Sequence, residues 1–149
     1  MGTLFSLSGL LVTPIWLAMI LLPGWSVTRR VVASPLVALA PALLYAVLVL
    51  PRILELLPIV ARPDLATIAA LLGTPDGATI GWIHFLAFDI FVGRWVYLDA
   101  RERKISALVS SPILFLVLML GPLGFVLHLL ARRVFGQAPM RPAGSPAAT

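Results

Sequence analysis

The chain has 149 residues, 60% of them hydrophobic and 11% charged, with a formal charge of +5 and no cysteine. A soluble domain carries about 25% charged residues, so this composition and a mean hydropathy of +1.05 point to an integral membrane protein of one domain. The missing cysteines exclude disulfides, zinc–thiolate sites, iron–sulfur clusters and thiol nucleophiles. The basic residues flank apolar runs, a pattern of lipid headgroups and topology rather than nucleic acid.

In chain order, Leu4–Leu22 is uncharged and long enough to cross a bilayer. With no basic residue before it and a poor cleavage pattern at Pro23-Gly24-Trp25, it reads as a retained span rather than a signal peptide. Ser26–Ser34 reads as a polar turn holding Arg29 and Arg30. The second span starts at Pro35 or Leu36 and runs to Leu50 or Leu57, made irregular by Pro41, Pro51 and Pro58. Arg52 and Glu55 are spaced to pair at its end. Pro63-Asp64 marks a helix start, with Asp64 as N-cap. The following Leu65–Leu72 is too short to cross and reads as a helix at the interface. Ile80–Leu98 is the third span, ending in Asp99-Ala-Arg-Glu-Arg-Lys104. A fourth runs from Ser110-Ser111-Pro112 to about Leu130, closed by Arg132 and Arg133.

The expected fold is therefore all-α: a bundle of four transmembrane helices over residues 1–135, with a short interfacial helix between spans two and three. A disordered tail is expected over 136–149. Four spans put Arg29, Arg30, Arg101, Arg103 and Lys104 on one side. Arg52, Arg62, Arg132, Arg133 and Arg141 fall on the other, so the basic residues tie and give no orientation.

The third span carries the chemistry. A charged residue at mid-span costs a few kcal/mol, and Asp89 is the most central. At 3.6 residues per turn, His84 and Asp89 point about 140° apart, as do Asp89 and Arg94. The helix cannot form a site alone. The fourth span, with Gly121-Pro122-Leu123-Gly124 and then His128, is the expected supplier of the rest, placing His84 and His128 at similar depth around one cavity. Three readings stay open. Asp89 and the histidines can form an acid/base pair, since a carboxyl in hydrocarbon can hold a proton that an imidazole can accept. His84, His128 and Asp89 can bind a metal, although their spacing matches no local metal motif and none is expected. Or the groups are structural, with Arg94 and Asp99 anchoring and positioning. No phosphate-binding loop, Gly-x-Ser-x-Gly elbow or His-Glu-x-x-His is present.

The runs Gly81–Asp89, Gly93-Arg94-Trp95 and Asp99-Ala100-Arg101, with Gly121–Gly124 and Pro23-Gly24-Trp25, resemble the abscisic-acid-deficient-four-like family. Its plant members are plastid membrane proteins needed to make neoxanthin from violaxanthin. No transit peptide is read ahead of the first span, and the Ala-, Pro- and Arg-rich usage suggests a bacterial cytoplasmic (inner) membrane protein. The resemblance implies a protein acting on a carotenoid or isoprenoid lipid, as a cofactor-independent acid/base isomerase with Asp89 and His84 as catalytic groups. Trp82, Phe91, Arg94, Trp95, Asp99 and His128 would then contact substrate. The alternative is a non-catalytic accessory that holds a pigment on Trp82, Phe91 and Trp95, or that binds a partner enzyme or a second copy. A small transporter is a third reading, disfavoured by the lack of an internal repeat.

Overall fold

The computed structural model describes residues 1–137; the expected tail over 136–149 lies almost wholly outside them. The described residues are helical, with no strand. Helix α1 is Gly2–Leu21, α2 Ser26–Ala33, α3 Leu39–Val49, α4 Ile53–Ala61, α5 Leu65–Leu72, α6 Pro75–Glu102, α7 Ala107–Leu120 and α8 Pro122–Val134. Short 3₁₀ turns join α2 to α3 and, at Leu50–Arg52, α3 to α4. Pro51 lies in the second turn and cannot donate to a regular helical ladder.

α6 is the axis of the molecule. Its 28 residues make a rod of about 42 Å. It starts earlier than the expected third span because Thr74 caps it, accepting from the Gly77 N–H at 3.0 Å. α1 runs parallel to α6. Phe5 stacks on Trp82 at one end with ring centroids 5.4 Å apart, and the Tyr97 hydroxyl donates to the Pro23 carbonyl at the other (2.8 Å). Between them the six-membered ring of the Trp16 indole packs against Gly93, where any Cβ would collide with it. α3 runs antiparallel to α6: Arg94 reaches the Ala33 and Ser34 carbonyls, Tyr45 meets His84, and Arg52 pairs with Asp76 at 2.6 Å. The Arg52–Glu55 pair expected from spacing gives way to this longer-range one. Ser26–Ala33 is a helix rather than a turn, because Thr28 and Val32 pack inward.

Asp64 caps α5 as expected, accepting from the Thr67 N–H at 3.0 Å. Its hydrogen bonds from Thr67 hold this exposed carboxyl below its ordinary range. α5 packs on the start of α6, where Gly77 leaves room for the Leu71 carbonyl.

The expected fourth span is not one helix. α7 runs back along α6, ends at Gly121 (φ 24°, ψ −86°), and α8 then reverses. Four contacts fix this direction. Gly124 sits directly on the Val117 backbone across the turn. Ser111, early in α7, donates to the Ile20 carbonyl at the far end of α1 (2.7 Å). His128 lies 2.9 Å from Asp99. The Gln137 N–H donates to the Arg103 carbonyl (2.9 Å). Both open ends of the α7–α8 hairpin therefore lie beside the C-terminal end of α6, and its tip lies beside Asp89, halfway along. A positive φ favours glycine at the turn, and Pro122 suits the first turn of α8, where its missing N–H costs nothing.

The hairpin also redistributes charge. Among the described residues, Arg29, Arg30, Arg101, Arg103, Lys104, Arg132 and Arg133 gather at the end of the bundle where α6 stops. Arg52 and Arg62 lie toward the other. The tie expected from four spans does not hold.

Trp16, Met19, Ile90, Val96, Tyr97, Leu114 and Val117 form the core. The outer faces stay apolar, with Leu10, Leu54 and Leu108 at 66%, 85% and 89% exposure. A surface this apolar marks contact with lipid or partners. α1 and the segment Pro35–Ala61 are each long and apolar enough to cross a membrane.

Candidate functional site

His84 leaves α6 toward α3, not toward the hairpin. It stands at the inner end of a groove of about 260 Å³ bounded by α3, α4, α5 and α6. The walls are Val49, Ile53, Leu56, Leu71, Ile80 and their neighbours. Among the lining residues only Tyr45 and His84 carry polar side-chain atoms. Their rings lie 5.3 Å apart, and the Phe88 ring lies 4.8 Å from the imidazole. The groove can take an apolar chain and present two proton-handling groups to its end.

Asp89 leaves the opposite side of α6, as the 140° offset requires. Its carboxylate abuts the hairpin tip: a Cβ on Gly121 would fall 2.6 Å from Oδ1. The ion pairs of the described chain involve Asp76 and Asp99, not Asp89. Asp89 therefore meets the Gly-Pro-Leu-Gly segment as expected, but its partner is a backbone turn and the start of α8, whose positive dipole end suits an anion.

His128 is fully buried and lies at the far end from His84. Fifteen residues of α6 separate His84 from Asp99, or about 22 Å of helix. The shared cavity expected for His84, His128 and Asp89 is thus not formed, because α8 carries His128 back toward the C-terminal end of α6. Nor do three such groups converge elsewhere among the described residues. His128 instead places Nε2 2.9 Å from Asp99 Oδ2. Arg103 Nε donates to Oδ1 at 2.9 Å, and Arg132 approaches it at 3.6 Å. Trp95 sets its ring edge-on to His128 and lies under Arg132, 5.6 Å from the guanidinium carbon. Asp99 is the clasp that ties α8 to α6.

Arg94 does not extend toward Asp99. Its Nη2 and Nε donate to the carbonyls of Ala33 (2.6 Å) and Ser34 (3.3 Å), closing the C-terminal end of α2. Phe88, Phe91 and Trp95 lie within about 60° of one another around α6 and make an aromatic stripe with exposures of 36–60%, whereas Trp82 points about 180° from Phe91 and stacks on Phe5. The 3-4 spacing of residues 88, 91 and 95 was readable in the sequence; Phe88 belongs with Phe91 and Trp95, and Trp82, singled out with them, does not. Tyr45 gave a weaker signal, as a lone phenol in an apolar run.

No solved structure matches this chain. A curated relative, Protein ABA DEFICIENT 4, chloroplastic, from Arabidopsis thaliana, is 25% identical over 139 residues, covering 89% of this chain. The chain spans 62% of that relative's length. The model of the ABA DEFICIENT 4-like family matches residues 3–128, which takes in α1 to α6, the hairpin tip and His128, so the chain belongs to the ABA DEFICIENT 4-like family.

Proposed function

We propose that this membrane protein binds a carotenoid or related isoprenoid lipid in the His84 groove and isomerises it by proton transfer. The observation that carries the reading is the groove itself, apolar along its walls and ending on Tyr45 and His84. Family membership and the exposed aromatic stripe on the same helix support a polyene ligand. In the reaction implied by the family resemblance, an epoxide oxygen gains a proton, its C–O bond opens, and a ring-adjacent carbon loses a proton to form an allene. Atoms balance, so the step calls for an acid and a base. His84 is positioned to take one role and Tyr45 the other. Asp89 faces away from this groove and would serve the hairpin rather than share the proton.

α1, Pro35–Ala61 and α6 each cross the bilayer in this reading. α7, at about 21 Å, is shorter than the ~30 Å hydrocarbon core and enters it as half of a re-entrant hairpin. Irregular backbone at such depth is tolerated when it is buried in protein, as Gly121 is. Seven basic residues at one end against two at the other support a cytoplasmic side for that end, in a membrane that this reading takes to be a bacterial inner membrane.

The test is pigment chromatography. Purified protein in micelles is incubated with a 5,6-epoxy carotenoid, and cells with and without the gene are extracted in parallel. Conversion to the allenic isomer, lost in His84→Gln and reduced in Tyr45→Phe, supports the proposal. Identical pigment profiles in every arm would sink it. The aromatic stripe favours a second reading, a non-catalytic pigment holder. An intact pigment that co-purifies unchanged, and is lost when Phe88 and Phe91 become alanine, decides for it.

A further inference from the structure

Where α6 stops, a cavity of about 410 Å³ is lined by Arg103, Leu129, Arg132 and Arg133. Three guanidiniums around one small volume repel one another, and Asp99 answers only part of that charge. It binds Arg103 through Nε alone and stands 3.6 Å from Arg132, while its other oxygen faces His128. Arg132 is further held over the Trp95 ring. Donors are left over. The two terminal nitrogens of Arg103 form no ion pair, and Arg133 forms none at all among the described residues. The backbone behind them is fixed, because the Gln137 N–H ties the end of α8 to the Arg103 carbonyl.

We infer that this cavity binds a phosphate group, carried by the headgroup of an anionic membrane lipid. Guanidinium forks match phosphate oxygens in bidentate geometry. The Asp99 clasp pre-sets the Arg103 fork, so less side-chain freedom is lost on binding. Leu129 supplies an apolar wall beside the charges, as an acyl-chain neighbour requires. The site also lies at the basic end of the bundle, where anionic lipids of the cytoplasmic leaflet gather. Free phosphate shares the same chemistry, and the experiment separates the two sources.

Detergent-purified protein is titrated with short-chain phosphatidylglycerol or phosphatidylcholine and read by native mass spectrometry, with inorganic phosphate as competitor. Phosphatidylglycerol binds about tenfold tighter than phosphatidylcholine, taking somewhat over 1 kcal/mol for the charged fork. Arg133→Gln, an exposed change that leaves the circular dichroism spectrum intact, weakens phosphatidylglycerol binding about fivefold. Arg133→Lys keeps the charge and loses less. Arg30→Gln, at the same end but outside the cavity, leaves binding unchanged. Retention of the lipid in millimolar phosphate supports the headgroup; displacement supports the phosphate site but assigns it to the free ion. Equal binding of the two lipids, or equal losses in Arg133→Gln and Arg30→Gln, overturns the inference.

Discussion

The two histidines of this chain live under opposite rules. His128 is fully buried and held by Asp99, in a cluster where each group has a charged or aromatic neighbour. His84 is half-buried, tilted against the rings of Tyr45 and Phe88, and faces a groove without an ion-pair partner. His128 is paired at Nε2 alone, its buried Nδ1 having no hydrogen-bond partner among the described residues; a buried group tied in this way still fastens one arrangement of the chain, while one left facing a pocket is available for chemistry. The C-terminal half of α6 is thus fastening, and its N-terminal half is receptacle.

That contrast can be broken most severely at the hairpin. Gly124→Val forces a side chain onto the Val117 backbone and should cost about 3 kcal/mol or prevent folding, within the range for overpacked sites; thermal unfolding in detergent reads it. Asp99→Asn removes the charge that serves His128, Arg103 and Arg132 at once. A loss of about 2 kcal/mol is expected for hydrogen bonds to charged groups, with α8 amides exchanging faster than those of α1. An Asp99→Asn protein as stable as wild type would remove the fastening role. His84→Gln should do the reverse: unfolding shifts by under ~1 kcal/mol, as for a site away from buried networks, while retention of a lipophilic ligand falls severalfold. Asp89→Asn tests the middle case. It removes an unpaired charge at mid-helix, so folding and insertion should be preserved or slightly improved, and a large loss of stability would mean that the hairpin tip depends on the anion.

The smallest effect is expected at Asp64. Its carboxyl is held below the ordinary value of 3.8 by Thr67, so capping of α5 is complete above that pH and fades as the pH falls through the lowered folded value. The protection factor of the Thr67 amide, taken against its intrinsic exchange rate at each pH, should fall on acidification while that of the α6 core holds.

Much of the fold was legible along the chain. The apolar runs fixed the helices, Asp64 its cap, and the third segment its place as hub, because length, hydropathy and capping are local properties. The 140° offset between His84 and Asp89 also carried through, since helical geometry follows from spacing alone. What local reading could not reach was direction. Residues 107–130 are equally apolar as one straight span or as two half-length helices, and hydropathy does not distinguish them. Only the tertiary structure turned the chain at Gly121, through its positive φ and the contact of Gly124 on Val117. That single reversal moved His128 to Asp99, gathered the arginines at one end, and left His84 to find Tyr45 on a helix thirty-nine residues earlier in the chain. Sequence determined which groups were costly to bury; the long-range packing of α8 and α3 on α6 decided which of them were answered.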